Sequence, residues 1–201
     1  MDNSTKITFG AIVVGLVMVV GLVTFFKPDP EPISLPLVIE EYSDFQCPAC
    51  QAYYLTVNEL KETFEDEIDF TYKHFPLESI HPRAFPAAVA AEAAREQGKF
   101  EEYHDILFAN QNNLSDEDFI AYAEELELDT DRFQSDYESN EELKNRVQAD
   151  QEEGLSRGVN ATPTFFVNGE RLSVTGPDSL IRKISEMIED AHTQDEIEQA
   201  E

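Results

Sequence analysis

Ser43–Tyr54 reads SDFQCPACQAYY and holds both cysteines of the 201-residue chain, Cys47 and Cys50. Such a pair can be a structural staple, half of a metal site, or a reagent. A chain of this length buries a full hydrophobic core without covalent help. A bridge from Cys47 to Cys50 would close a loop of only four residues, worth about 2 kcal/mol in chain entropy, and would fix nothing distant in sequence. A structural zinc site takes four ligands from Cys and His. The four histidines, His74, His81, His104 and His192, are scattered without the spacing of a zinc half-site. No metal is therefore expected. The staple is weak and the metal lacks ligands, which favours the reagent.

The compartment of the thiols bears on that choice, because disulfides persist in oxidising surroundings. Residues 7–26, ITFGAIVVGLVMVVGLVTFF, form a twenty-residue run without a charge or a proline. At about 1.5 Å per residue it spans the roughly 30 Å hydrocarbon core of a bilayer as a helix. The run is longer than the apolar region of a signal peptide and no A-x-A site follows it. A transmembrane anchor over 7–26, behind a short tail of residues 1–6, is the favoured reading over a cleaved signal. Lys6 and Lys27 flank the run almost symmetrically, so the positive-inside rule is nearly balanced, and the short N-terminus suggests that it stays inside. The rest of the chain is then expected on the extracytoplasmic side, periplasmic or extracellular. Residues 27–36, KPDPEPISLP, carry Pro28, Pro30, Pro32 and Pro36 and read as a semi-rigid extended spacer.

Beyond the spacer one domain is expected, over residues 37–192, with an acidic tail at 193–201. LPLVIEEYS suits a buried strand, and Gln51–Glu65 places Tyr54, Val57, Leu60 and Phe64 at helical spacing. The cysteines fall at the junction. Pro48 is favoured at a first helical position, so Cys47 is the predicted N-cap and Cys50 lies one turn inside. Free N–H groups and the positive end of the helix dipole favour a thiolate on Cys47. Cys50 is the more buried thiol, placed to resolve a mixed disulfide formed at Cys47. DFTYKHFPL supplies a second strand and completes a right-handed βαβ unit.

Helices then dominate for a block of residues about 80–158: RAFPAAVAAEAAREQ ending at Gly98, LSDEDFIAYAEELEL capped by Ser115, and SNEELKNRVQADQEEGLSRG stopping at Gly154 or Gly158. Asn168–Gly169 within TPTFFVNGERLSV marks a type I′ hairpin. GPDSLIRKISEMIEDA closes as an amphipathic helix with Leu180, Ile184 and Ile188 on one face, Ile181 and Met187 beside it, and a fraying acidic end. The fold class is α/β, a thioredoxin-like fold of βαβ and ββα halves with an inserted helical domain.

From about Leu37 to Ala191 the chain resembles the DsbA-like thiol-disulfide oxidoreductases of bacterial envelopes. The resemblance rests on SDFQCPAC after the first strand, FPL with HP entering the helical block, EQGKFEEYHDILF within it, and ATPTFFVNG before the hairpin, all in family order. It implies that Cys47 is the nucleophile and Cys50 its resolving partner, with a redox-active disulfide and no other cofactor. It further implies a cis peptide bond before Pro163, beside the thiols, where Thr162 and Pro163 help hold an extended substrate next to Pro48 and Ala49. Glu41, six residues before Cys47, matches an acidic position beneath the site that relays the proton of the resolving thiol. The alternation of a strand alone does not say whether Glu40 or Glu41 faces inward. Ala49 stands where relatives carry His or Tyr, so the charge a His would lend the thiolate is missing.

The balance of 42 acidic against 14 basic residues, a net charge of −28, disfavours nucleic acid as a partner and reads most simply as solvated acidic helix faces. The expected function is a membrane-tethered oxidoreductase that donates the Cys47–Cys50 disulfide to reduced or misoxidised exported polypeptides. The family implies reoxidation by a quinone-linked membrane partner of the DsbB or VKOR type. A reductase or isomerase of the same fold is the alternative, and a tethered polypeptide-binding holdase with an apolar groove near Pro163 is a third.

Overall fold

The computed structural model describes residues 35–199; the candidate anchor at 7–26 and most of the spacer lie outside the described residues. Among the described residues no helix is long and apolar enough to cross a membrane. The elements run β1 (Leu37–Ser43), α1 (Pro48–Thr63), β2 (Ile68–His74), α2 (Ala84–Arg95), α3 (Phe100–Ala109), α4 (Asp116–Glu125), α5 (Thr130–Ser139), α6 (Glu141–Ser156), β3 (Thr164–Val167), β4 (Glu170–Leu172) and α7 (Pro177–Gln199). They form a thioredoxin-like α/β fold with a helical insertion between its halves.

The sheet has the order β2-β1-β3-β4. β1 pairs parallel with β2, with Leu37 opposite Ile68 and Ser43 opposite His74, and antiparallel with β3, with Ile39 opposite Val167. The parallel pair is what a crossover through α1 demands. Asn168 and Gly169 turn the β3–β4 hairpin with φ of 48° and 83°, the left-handed pair that a type I′ turn requires.

Alternation along β1 sorts its side chains between two layers. Leu37 and Ile39 join Tyr53, Val57 and Leu60 of α1, Phe165 of β3, and Leu180, Ile184 and Ile188 of α7 in one apolar layer. Tyr42 points the other way, onto Phe75, Val159 and Phe166. The helical block has its own core of Tyr103, Leu107, Phe119, Phe133, Leu143 and Val147. That core is continuous with Phe45, Cys47, Cys50 and Tyr72, so the thiols sit where the block meets the sheet.

Local signals place the block's helices. Ser115 Oγ accepts from the Asp118 N–H and Asp118 Oδ2 accepts from the Ser115 N–H, a reciprocal cap that starts α4. Asp129 and Asn140 cap α5 and α6 in the same way with single bonds to the N–H groups of Arg132 and Glu142. Of the two glycines read as stops for α6, Gly154 lies inside the helix and Gly158 ends it with φ of 77°. Gly154 serves packing instead: a Cβ there would meet Phe75 Cδ2 at 2.8 Å and Tyr42 Cδ1 at 2.9 Å. At the other end of the domain α7 continues to Gln199, into the residues read as an acidic tail.

Candidate active site

The turn between β1 and α1 is built around one buried carboxylate. Asp44 accepts hydrogen bonds from the Gln46 N–H at 2.7 Å, the Leu77 N–H at 2.8 Å and His81 Nδ1 at 2.8 Å. Its side chain is fully buried. These bonds tie the segment preceding Cys47 to the FPL and HP residues that enter the helical block, a physical reason for those motifs to occur together. The Asp44 carbonyl then accepts from the Cys47 N–H at 3.0 Å. Phe45, 1% exposed, anchors the turn from within, its ring 5.1 Å from that of Phe108 and 5.2 Å from that of Tyr72.

Cys47 is the N-cap of α1, in an extended conformation, with Pro48 opening the helix. Its carbonyl accepts from the Gln51 N–H at 3.2 Å and from Gln111 Nε2 at 2.8 Å, so the turn after α3 clasps the first turn of α1. Pro48 and Ala49 are exposed, and Cys50 is completely buried. The Thr162–Pro163 peptide bond is cis, and the Thr162 carbonyl lies 3.5 Å from Cys47 Sγ, which donates to it when the thiol is protonated. Thr162 is buried and Pro163 partly exposed. Cys47, Cys50, Thr162, Pro163, Pro48 and Ala49 are thereby gathered around one sulfur atom.

The two sulfurs are electrostatically unlike. Cys47 is pulled down from 9.0 to about 5, first by a hydrogen bond from the Cys50 thiol. Burial opposes the shift, while the Thr162 side chain and the N–H groups of Cys50 and Ala49 reinforce it. The helix N-terminus read from the sequence contributes, but the neighbouring thiol contributes most. Cys50 moves far in the opposite direction, through burial first, then its bond to Cys47 and the charges of Glu41 and Cys47. An anionic sulfur beside one kept protonated is the asymmetry that thiol–disulfide exchange uses: the thiolate attacks and leaves readily, and its partner waits.

Glu41, not Glu40, faces inward. Glu41 is 4% exposed, and burial lifts its carboxyl from 4.5 to about 7 against the pull of the Ser43 hydroxyl and the Lys61 charge. Glu40 lies on the opposite face of the sheet, where both its oxygens accept from Arg157 Nη1 at 2.9 Å. Beside the thiols a groove opens, lined by Gln46, Arg83, Gln111, Asn112 and Asp116. Its lining also includes Leu114 and does not reach Pro163, where the holdase reading places an apolar groove.

Three residues of this region were invisible to sequence reasoning. Asp44 passes for an ordinary turn residue, and Gln111 lies 64 positions from the carbonyl that it clasps. Glu92, in the alanine-rich α2, is 3% exposed and receives His74 Nε2 at 3.0 Å and Arg95 Nε at 2.8 Å. Burial alone would raise its carboxyl, but His74 and Arg95 hold it down at about 2. The pair pins α2 to the end of β2, behind Tyr72 and Phe45.

Comparison with known proteins agrees with this architecture. The family profile described as Thioredoxin matches residues 35–197. A Na(+)/H(+) antiporter NhaA 1 of Mycobacterium sp. (strain KMS) is 39% identical over 159 residues, 76% of this chain and 26% of that protein. The chain thus spans about a quarter of the length of the curated relatives it matches. Among solved structures, a thioredoxin-like oxidoreductase from Silicibacter pomeroyi DSS-3 superposes with a TM-score of 0.66 at 24% identity, covering 78% of this chain and 87% of that one. The oxidoreductase DsbA from Xylella fastidiosa does so with a TM-score of 0.65 at 18% identity, covering 81% and 89%. The fold shared with these structures and the matched profile lead to one assignment: the chain belongs to the thioredoxin family.

Proposed function

We propose that the protein is a thiol-disulfide oxidoreductase that donates its Cys47–Cys50 disulfide to reduced polypeptides. The observation that carries this reading is the geometry of the pair: Cys47 caps α1 with its sulfur 3.5 Å from the Thr162 carbonyl beside a cis proline, and Cys50 is wholly buried one turn inside. In the oxidising direction a substrate thiolate attacks Cys47 Sγ, the Cys47–Cys50 bond breaks, and Cys50 leaves as a sulfur that takes a proton. A second substrate thiolate then attacks the substrate sulfur of the mixed disulfide and expels Cys47 as a thiolate. The substrate loses two electrons and the Cys47–Cys50 pair gains them. Thr162, Pro163, Pro48 and Ala49 border the sulfur that reacts, and Glu41 is the proton reservoir beneath it.

The asymmetry of the two sulfurs bears on the direction. Each pKa unit is worth about 1.4 kcal/mol, and with Cys47 at about 5 two units act at pH 7. That stabilises the reduced form by an amount equal to a potential on the order of 60 mV more oxidising than unperturbed thiols would give. On that ground donation is the direction proposed, with reduction or isomerisation as the alternative that the measured potential decides. The apolar run at 7–26 supports a tether that keeps the domain on the extracytoplasmic side of the cell membrane, acting on exported polypeptides. A quinone-linked membrane reoxidase of the DsbB or VKOR type would restore the disulfide. Sodium–proton exchange forms no part of the proposal, since a match over 76% of this chain falls mostly within the dithiol domain.

The test is oxidation of a reduced, unfolded test protein by the oxidised domain, with the potential read against glutathione buffers. The expected result is stoichiometric transfer and a potential above that of ordinary dithiols. Failure to oxidise the test protein, or a potential in the strongly reducing range of structural disulfides, below about −300 mV, would contradict the reading.

A further inference from the structure

Beneath Cys50 lie two buried hydroxyls that the exchange steps above leave without a task. Ser43 is 1% exposed and Tyr72 9% exposed, and neither Ser43 Oγ nor the Tyr72 hydroxyl has a partner at hydrogen-bond geometry. A buried hydroxyl left so costs about 1–3 kcal/mol. Both belong to the strands that carry the site. Glu41 and Ser43 project to the same face of β1, and Tyr72 is the register partner of Glu41 on β2. Ser43 shares its face of the sheet with Glu41, Tyr72 and its own register partner His74, and its hydroxyl favours the ionised forms of Glu41, Tyr72 and Cys50.

A serine hydroxyl has one proton to donate and two lone pairs to accept with. Three neighbours match that capacity: an acceptor in the Glu41 carboxylate and two donors in the Tyr72 hydroxyl and the Cys50 thiol. Tyr72 is held protonated by burial, which raises it well above its ordinary value, so it can donate and does not compete as a base. Glu41 is close to half-ionised at neutral pH, as suits a group that takes up and returns a proton. Cys50 must lose its proton to attack, and its burial closes the direct route to water.

Resting on the oxidoreductase reading above, we infer that Ser43 is the relay between Cys50 and Glu41, with Tyr72 holding its oxygen in place. As Cys50 attacks a mixed disulfide at Cys47, its S–H proton passes to Ser43 Oγ while the Ser43 O–H proton passes to Glu41. A Cys47–Cys50 bond forms, the bond from Cys47 to the partner sulfur breaks, and the partner leaves as a thiolate. Glu41 ends the step as a neutral carboxylic acid. In the reverse direction the same path returns the proton to Cys50.

Other titratable groups surround this path. α1 contributes Cys47 and Lys61, the end of β1 contributes Asp44, and β3 faces Glu41 with the apolar Phe165. His74 stands opposite Ser43 in the β1–β2 register with its Nε2 bonded to Glu92, and the rings of His74 and His104 lie with centroids 5.3 Å and 4.9 Å from that of Tyr72. None of these changes between wild type and a Ser43 variant.

The experiment mixes reduced protein with oxidised glutathione and follows two phases by acid quench and mass spectrometry: formation of the Cys47–glutathione disulfide, then its resolution by Cys50. Ser43→Ala is expected to lower the ratio of second to first rate about a hundredfold near neutral pH, the lower end of the 10²–10⁴ that a positioned acid–base group contributes. The deficit should open as pH rises through about 7, where Glu41 ionises, and close in strong alkali, where hydroxide takes the Cys50 proton. Ser43→Thr should restore the ratio, and Tyr72→Phe, which keeps the ring stacked on Phe45, should lower it in the same pH window. An unchanged ratio in both Ser43→Ala and Tyr72→Phe, or a deficit equal at every pH, overturns the relay. A wild-type protein that shows no first phase overturns the oxidoreductase reading and the relay with it.

Discussion

Cys50→Ala should arrest the protein at a covalent adduct on Cys47, with resolution slowed by at least about 10³-fold. The size of the effect comes from geometry. Cys50 lies one helical turn from Cys47, buried against it and hydrogen-bonded to it. Well-oriented groups within one molecule react as though present at effective concentrations of about 10⁵ M or more, which millimolar external thiol does not approach. Adducts with glutathione or with disulfide-bearing polypeptides should therefore persist on non-reducing gels for Cys50→Ala, and should be absent when Cys47 is also replaced. Wild-type resolution rates in Cys50→Ala would mean that Cys50 has no part in the exchange.

Phe45→Ala should be the most damaging single truncation near the site, at about 3–5 kcal/mol, the range for a buried phenylalanine. Phe45 is 1% exposed and stands among the rings of Tyr72, His74, His104 and Phe108, at centroid distances of 5.1–6.0 Å. It joins the β1–α1 turn to the helical block, so its loss removes packing from both layers at once. Against a domain stability of about 5–15 kcal/mol the variant is expected to be largely unfolded at moderate denaturant. Chemical denaturation followed by far-UV circular dichroism gives the answer. A loss under about 1 kcal/mol would show that the turn is held chiefly by the hydrogen bonds to Asp44.

Much of the fold can be read from the sequence because its signals are local. Pro48 after Cys47 marks a helix start, Ser115 with Asp118 marks another, and Asn168–Gly169 fixes a hairpin through backbone angles that few residues adopt. The apolar spacing of Leu180, Ile184 and Ile188 identifies the buried face of α7. What escapes such reading depends on contacts between distant segments. Glu40 and Glu41 differ only in the face they take, which the register with β2 and β3 decides. Gly154 looks like a helix stop and is instead a contact point for Phe75 and Tyr42. Glu92 sits among alanines, and the partners that meet its buried carboxylate, His74, Arg95 and Arg146, come partly from distant segments.

The site shows the same division. The Cys-x-x-Cys spacing and the helix start point to a reactive Cys47, but the Cys50 thiol, which lowers it most, becomes a donor only through the geometry of the first helical turn. The Ser43 and Tyr72 hydroxyls give no signal in sequence, since serine and tyrosine on strands are ordinary. Their meaning lies in the burial and register that set them beside Glu41 and Cys50.

Thiolate absorbance at 240 nm, followed against pH in the reduced domain with Cys47→Ser as the blank, addresses the asymmetry of the two sulfurs most directly. One sulfur should ionise with a midpoint near 5 and vanish in the blank, while the other stays protonated through pH 9. A single alkaline transition shared by both cysteines, at the value of an unperturbed thiol, would contradict the account.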